Sequence, residues 1–582
     1  MKRRSFLRVV AASAAASGFP LVFSCGDGGD STPTELVFPQ GLASGDPKPT
    51  SIVLWTRAAP LTAGSQKVFY EVATDEGFDN MIASGELEAI ADWDHTLRIK
   101  VTELEPGTPY FYRFASQGAV SEVGRAKTAP VPEDSVNVRF AFATCQDYVN
   151  RYFHSWRVLC EQEAEIDFVL FLGDYIYEQE SGSDVLFRKG TGERAVELPD
   201  GLALDGMGAG VLTASSTADY RHLYKVYRSD PDLREAHRLF PFISVWDDHE
   251  FANDCWQDHA VDFNDTRGDE KSTKRREAAT RAWFEYTPID VEYDPNAGFP
   301  RDIRIFRSLR YGKHVDMVLT DQRYYRSDHV IPEGPIDLSV GKFVPNSPLG
   351  SRTFALKSGF DVKEAAAGVT MLGTQQRDWL VQALRESTAT WTVWVSQLML
   401  AQMLTDLSGF EVLPENLRDV FYFKLDQWDG FRTERAAVLA DLGDVPNLVA
   451  LSGDIHAFYA SELYTDFDAP GAIPTAVEFT TASISALPVK PQVELLVQSN
   501  PLLDSLGLGE VAAMFDEVLR ASNPHIRYAK SDTHGVSLCE ISETEMQVRF
   551  FEVDDVQSPD MASPPREIGF RVASGSKVIE RI

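Results

Sequence analysis

The chain has 582 residues, of which 44% are hydrophobic and 11% aromatic. This composition excludes a largely disordered chain, and the length exceeds what one ordinary core fills, so we expect one large domain and a smaller companion. The formal net charge of −32 disfavours binding to nucleic acids and to anionic membranes, and it favours binding of hard cations such as calcium.

The first 34 residues resemble an export leader. Residues 2–8 read KRRSFLR, and the apolar stretch that follows is shorter than the ~20 residues that span a bilayer. Paired arginines before Ser-Phe-Leu resemble a signal for the twin-arginine export machinery, with an ordinary basic leader as the alternative. We therefore expect an exported protein, periplasmic or extracellular. Cys25 resembles a lipoprotein cleavage site, and this possible lipid anchor is the only membrane attachment that we expect.

Residues 35–130 show the pattern of an all-β sandwich. Short alternating segments at 51–55, 68–72 and 97–101 are separated by Gly, Pro and Asp turns. Residues 104–114, LEPGTPYFYRF, resemble the strand corner of a fibronectin type III domain. Residues 130–134, PVPED, are typical of a linker, so we place a second domain at 136–582.

Four apolar segments of this second domain end in polar side chains, and each is predicted to be a buried strand. Residues 138–144 lead into Cys145, 167–172 into GDYIYE (173–178), 242–245 into WDDHEFAND (246–254), and 447–452 into GDIH (453–456). In α/β sheets ligands collect at the carboxyl ends of the strands. The pattern therefore predicts one site at this edge.

The spacing within these segments favours a metal site. Asp174 and Tyr177 are three residues apart, so one turn points both side chains the same way. Asp454 and His456 are two residues apart and share one face of an extended backbone. Carboxylates gathered at one edge repel one another unless cations neutralise them.

Together GDYIYE, WDDHE and GDIH resemble the motifs of PhoD-like alkaline phosphatases, a family of metallophosphoesterases related to the purple acid phosphatases. The resemblance extends over nearly the whole chain after the leader, including residues 321–326 and 372–376. It implies an α/β fold with a four-layer metallophosphoesterase core, two sheets flanked by helices, preceded by the all-β fibronectin-like sandwich.

The resemblance also implies the ligands of a centre that contains Fe³⁺ and Ca²⁺. Asp174 bridges the ions, and Cys145, Tyr177 and His456 complete the iron site. Asp454 and one residue of the third loop bind calcium, with Asn253 preferred and Asp248 and Asp254 as alternatives. Phenolate and thiolate suit iron(III), whereas carboxylate and amide oxygens suit calcium. Zinc is the alternative at the first position, although a tyrosine ligand to zinc is unusual.

We therefore expect a secreted, monomeric alkaline phosphatase that hydrolyses small or polymeric phosphate esters with a metal-activated hydroxide. His249 is the candidate for stabilising charge or protonating the leaving group, and Arg323 is a possible phosphate-binding residue. Alternatives are a phosphodiesterase or phospholipase D-like enzyme and a non-catalytic calcium-binding surface protein. The aperiodic segment 180–216 is either a substrate-selecting loop beside the site or a surface insertion.

Overall fold

The structure is a computed structural model that describes residues 8–11, 33–162, 166–203, 210–260, 271–331, 352–469, 471–499 and 501–582. The paired arginines and Cys25 of the expected leader lie outside these residues. No helix in the described part of the chain is long and apolar enough to cross a membrane.

The N-terminal region is all-β apart from one short helix, as expected. Its α-helix is α1 (Thr34–Val37), with a single 3-10 turn at Ala91–Trp93. Its strands, with β1 in the expected leader, are β1 (Arg8–Ala11), β2 (Leu42–Lys48), β3 (Ser51–Arg57), β4 (Gln66–Ala73), β5 (Met81–Ala89), β6 (Thr96–Thr102), β7 (Pro109–Ser116), β8 (Ala119–Val120) and β9 (Gly124–Lys127). Inward side chains such as Leu54, Val68 and Tyr112 form a core of their own.

The rest of the chain mixes helices and strands. The strands are β10 (Val138–Ala143), β11 (Phe168–Phe171), β12 (Leu202–Ala203), β13 (Leu212–Thr213), β14 (Pro241–Ser244), β15 (Arg307–Tyr311), β16 (Val315–Leu319), β17 (Thr353–Leu356), β18 (Trp391–Val395), β19 (Leu404–Asp406), β20 (Val420–Lys424), β21 (Leu448–Ser452), β22 (Phe458–Leu463), β23 (Ala476–Thr480), β24 (Ile526–Lys530), β25 (His534–Ile541), β26 (Glu545–Val553), β27 (Arg566–Ala573) and β28 (Glu580–Arg581).

The helices of this region lie between the strands, and two of them begin at side-chain N-caps. They are α2 (His154–Gln162), α3 (Thr217–Tyr227), α4 (Pro231–Leu239), α5 (Thr273–Tyr286), α6 (Lys357–Ala367), α7 (Gly373–Glu386), α8 (Arg432–Asp441), α9 (Val489–Ser499), α10 (Pro501–Ser505), α11 (Leu508–Ala513) and α12 (Phe515–Ser522). Ser216 caps α3 in a capping box with Asp219, and Asp230 caps α4, whose first residue is a proline.

Two large sheets organise the molecule. The first has the order β1-β6-β3-β2-β14-β11-β10-β25-β26-β27-β28, and the second has the order β15-β16-β18-β21-β23-β22-β24. Strands β10, β11 and β14 are parallel to one another, as are β16, β18, β21 and β23. The N-terminal β2 is hydrogen-bonded in parallel to β14, so the first sheet continues across the expected linker. The domain boundary remains a prediction.

Alternate residues of the second sheet belong to different cores. In β21, Val449 and Leu451 belong to the cluster that also contains Phe142 of β10, whereas Leu448 and Ala450 pack in a cluster with residues of α7 and α8. Both faces of this sheet are therefore covered, which explains why its strands read as continuous apolar runs.

Candidate metal centre

The four polar strand ends meet at one place, as the sequence predicts. Three of them follow the neighbouring parallel strands β10, β11 and β14, and the fourth follows β21 of the facing sheet. A parallel bridge between Thr144 and Ser483 ties the two sheet edges together at this point.

The backbone at the strand ends adopts conformations that side chains usually avoid. Cys145, Asp174, Asp454 and His456 all have φ between 54° and 60°. Each such non-glycine position costs about 1 kcal/mol or more, and such positions cluster at functional sites. The sharp turns bring the four side chains together, and those of Asp174, Asp454 and His456 line one cavity.

Gly173 is required for the turn before Asp174. Its φ is 111°, and a Cβ there would lie 2.5 Å from the Asp247 Cβ and 2.6 Å from the Asp247 backbone nitrogen. The second and third strand ends are thus in backbone contact, which only a glycine permits.

Four of the expected iron ligands form a connected group. The Cys145 thiol donates to Asp174 Oδ2 at 3.3 Å, and the Tyr177 hydroxyl lies 3.5 Å from the same oxygen and 3.1 Å from His456 Nε2. His456 Nδ1 lies 2.7 Å from the Leu487 carbonyl, which fixes the ring and leaves Nε2 facing the group.

A second group of carboxylates shares Asp174 with the first. Ligand atoms of Asp174, Asp247, Asp248 and Asp454 all lie within 4.8 Å of one another. The sequence-predicted Asp174 and Asp454 are therefore together, and Asp174 stands between two sets of donors, as a bridging ligand would.

The third loop presents its three candidate ligands differently. The Asp248 carboxylate belongs to the second group, and its other oxygen accepts the Asp254 N–H at 2.6 Å. Asp254 and Asp248 form a further carboxylate group with Asp426. Asn253 lines the cavity and donates its backbone N–H to Glu178 Oε1 at 2.8 Å. Of the two third-loop aspartates, Asp248 is the one grouped with Asp174 and Asp454.

His249 lies beside the ligands and has a buried carboxylate behind it. Its Nδ1 is 2.6 Å from Glu178 Oε2, and its backbone N–H donates to Asp174 Oδ1 at 3.3 Å. Burial lowers the pKa of His249, but Glu178 and the aspartates beside it raise it well above its usual value. Glu178 is part of the GDYIYE segment, but its place in that segment predicts no role for it.

Arg323 is fully buried and does not line the cavity in the described part of the chain. Its guanidinium bonds to Asp247, to Asp426 at 2.8 Å and to Asp454 at 3.1 Å. This placement favours a positioning role over direct phosphate binding, because the carboxylates already occupy its donors. Asp426, which also contacts Arg326 and His329, was not singled out from the sequence.

Glu250 holds two strand ends together. Its carboxylate accepts the backbone N–H groups of Asp174, Tyr175 and Asp247 at 2.7–3.0 Å. The Glu of WDDHE therefore fixes the turn that carries Asp174, and its contribution to the site is through the backbone.

The donors fit a centre that contains cations. Burial raises the pKa values of Cys145, Asp174 and Tyr177, and neighbouring acidic groups raise them further. Asp247 Oδ2 is buried and has no hydrogen-bond partner among the residues that the structure describes. Buried anionic groups at this density repel one another, and cations would reverse these shifts and give the orphaned oxygen a partner.

A cavity of about 220 Å³ opens over the two groups. Asp174, Tyr177, Asp454 and His456 lie on its polar side, and Lys424 and Arg352 add positive charge. Apolar side chains from segment 180–216 and from α9 complete the lining. This segment therefore borders the site, as one of the two hypotheses for it stated.

Comparison with known proteins gives concordant matches. The family model for PhoD-like phosphatase matches residues 140–550, and that for the PhoD-like phosphatase N-terminal domain matches residues 25–130. Alkaline phosphatase D of Bacillus subtilis is 29% identical over 541 residues, 91% of this chain and 80% of that protein. A solved structure of PhoD aligns with a TM-score of 0.74 and 26% identity, covering 95% of this chain and 93% of that chain.

Proposed function

The chain belongs to the PhoD-like phosphatase family and is a phosphoric ester hydrolase, and we propose that it hydrolyses phosphate esters at an iron and calcium centre. One observation carries the proposal: Cys145, Asp174, Tyr177 and His456 form one connected group that shares Asp174 with a second group of carboxylates.

We assign the two groups to different ions by the chemistry of their donors. Thiolate, phenolate and imidazole from Cys145, Tyr177 and His456 suit iron(III), whereas the carboxylates of Asp248 and Asp454 suit calcium. Asp174, which both groups share, would be held in common by the two ions, and Asn253 and Asp254 are further candidates for calcium. When bound, the two ions supply Lewis-acid activation of water and charge neutralisation of the phosphate.

The side chains of the protein supply the remaining steps. His249, next to Asp174, donates a proton to the leaving oxygen or stabilises charge on the phosphoryl group. Glu178 holds the His249 ring from behind, so that the free Nε2 points away from it. Arg323 keeps Asp247 and Asp454 in place without touching the substrate.

The test is elemental analysis and a visible spectrum of protein purified without chelators, together with release of p-nitrophenol from p-nitrophenyl phosphate. We expect iron, calcium, an absorption band from tyrosinate on iron(III), and hydrolysis. Cys145→Ser should weaken iron binding and alter the band. Protein that holds only zinc, or a band and iron content that Cys145→Ser leaves unchanged, would contradict the ligand assignment.

Hydrolysis of bis-p-nitrophenyl phosphate measures the diesterase alternative in the same assay. If kcat/KM for the diester exceeds that for the monoester, the enzyme is a phosphodiesterase in preference to a monoesterase. The metal proposal stands in either case, because the same ions serve both esters.

We also propose a layered core for the catalytic region and export of the protein from the cytoplasm. A core of two sheets flanked by helices is supported by the shared core between the large sheets and by α7 and α8 on the outer face. We also propose that residues 35–130 form a fibronectin-like sandwich. The leader would direct export of the protein, which would function as a monomer. Mass spectrometry of protein from the native host tests leader removal and lipidation of Cys25.

A further inference from the structure

One side of the cavity is apolar, and it is formed by three separate segments. Val185 and Phe187 come from the loop after β11, Phe423 from β20, and Val489, Val493 and Leu496 from α9. We call these six side chains the apolar wall. On α9 the cavity-lining positions 489, 492, 493 and 496 follow the helical repeat, so one stripe of the helix faces the cavity.

Part of the apolar wall is not explained by core packing. Val489, Val493 and Phe423 belong to a core cluster. Leu496 and Val185 are partly exposed and belong to none of the hydrophobic clusters in the described part of the chain. These two apolar side chains thus line the cavity beside highly charged groups, where exposing them to water is unfavourable.

Hydrogen bonds hold the loop of the apolar wall in place. Asp147 Oδ2 accepts the Ser183 N–H at 2.8 Å and the Ser183 hydroxyl at 2.7 Å. A Cβ on Gly182 would lie 2.2 Å from Asp147 Oδ1, so the loop packs directly on this carboxylate. Ser183 Oγ in turn accepts the Leu487 N–H at 3.0 Å, which links the loop to the segment that leads into α9.

Further hydrogen bonds of Leu487 and of α9 connect the apolar wall to the expected metal ligand His456. The Leu487 carbonyl lies 2.7 Å from His456 Nδ1, and Gln492 Nε2 of α9 lies 3.0 Å from the same nitrogen. The distance between the expected metal ligands and the apolar wall is therefore fixed before a substrate arrives, which is the condition for a binding site that orients its ligand.

We propose that the apolar wall is a specificity site for the organic group of the ester, and that the preferred substrates carry an alkyl chain on the phosphate. The inference rests on the proposed function, because the phosphate must lie on the metal ligands for the chain to reach the apolar wall. Burial of the chain strengthens binding of substrate and transition state alike, so the effect is expected mainly in KM.

The first test is a series of alkyl phosphates from ethyl to hexyl, hydrolysed by the metal-loaded enzyme and followed by phosphate release. The leaving alcohols in this series have similar acidity, so differences report binding of the chain. We expect kcat/KM to rise by up to about fourfold for each methylene group that contacts the apolar wall, on the order of a hundredfold over the series. A flat series overturns the proposal and leaves the hydrolase function standing.

The second test uses alkylphosphonates, which are not hydrolysed, as inhibitors or as ligands in calorimetry. Their affinity should rise along the series as kcat/KM does. If no ester is hydrolysed but affinity rises with chain length, the proposed function fails and the binding site remains. If affinity is independent of chain length, the apolar wall does not bind the chain.

Variants of α9 test whether this helix causes the dependence of kcat/KM on the length of the alkyl chain. Leu496→Ala should reduce the ratio of hexyl to ethyl phosphate kcat/KM by about tenfold. Leu495→Ala is the matched control, since Leu495 is the same residue type on the same helix and does not line the cavity within the described residues; its ratio should equal that of the wild type. An equal loss in the two variants would assign the effect to helix packing and overturn the proposal.

Discussion

At the scale of single residues, the Asp174 carboxylate connects the two groups of the centre. One oxygen contacts Cys145 and Tyr177, and the other accepts the His249 N–H. Asp174→Asn removes the bridging charge and should lower kcat/KM by about a thousandfold, or ~4 kcal/mol of transition-state stabilisation. Phosphate release measures the loss of kcat/KM, and elemental analysis measures the metal content. Asp92→Asn, at an exposed position, is the control. Activity within tenfold of the wild type would contradict the bridging role.

Glu178 and His249 form a pair that should behave as a unit. Their side chains lie 2.6 Å apart, and Glu178 is fully buried. Glu178→Gln should lower kcat by about ten- to a hundredfold, because the ring loses its orientation. In a double-mutant cycle, Glu178→Gln combined with His249→Ala should cost little more than His249→Ala alone. Additive losses would show that Glu178 acts independently of His249.

Which residues converge on the site could be predicted from the sequence, because each expected ligand directly follows a buried strand. Cys145, Asp174, Asp454 and His456 all come from that pattern. Asp426 follows strand β20, which belongs to a three-stranded sheet separate from the two large sheets, and its contacts with Arg323 and Arg326 depend on tertiary packing. The role of Glu250 could not be predicted either, since its carboxylate accepts backbone N–H groups of its own strand end and of the one after β11.

At the scale of elements, the turn between β11 and Asp174 is the most constrained part of the site. Gly173→Ala would place a methyl group 2.5 Å from the Asp247 Cβ and force a residue with a side chain to adopt φ 111°. We expect a loss of a few kcal/mol of stability and of metal binding, seen as a lower Tm and less bound iron. Gly298→Ala, also at positive φ but with open space around it, is the control. Similar losses in both variants would assign the effect to φ alone.

The strands that carry the site were predicted to within one or two residues, since fully buried parallel strands read as uninterrupted apolar runs. The partners of these strands were not predicted. Residues 42–48 pair with β14 and residues 534–541 pair with β10. Pairing between segments so distant in the chain leaves no local signal in composition or periodicity.

At the scale of the whole molecule, folding stability should fall in mild acid through His525. Its ring is buried, Nε2 is 2.9 Å from the Gln402 carbonyl, and burial lowers its pKa to about 4. The unfolded chain takes up the proton at about pH 6.5, so this contribution is complete above that pH and is lost as the pH falls towards 4.

His525→Gln removes this dependence because the variant cannot become charged there. The free energy of unfolding of the variant minus that of the wild type should be about 2 kcal/mol higher at pH 5 than at pH 8. Chemical denaturation at the two pH values measures the difference. Stability curves that stay parallel across this range would show that His525 does not contribute to acid sensitivity.

The pairing of β10 and β14 with segments from opposite ends of the chain determines when the metal centre can form during synthesis. A nascent chain that stops before residue 534 leaves the edge of β10, the strand before Cys145, without β25. At about 5–20 residues per second the ribosome needs on the order of a minute to reach that point. The proposed metal ions should therefore be incorporated only after residues 534–541 have been synthesised, and chains truncated before residue 534 should aggregate through the open strand edge.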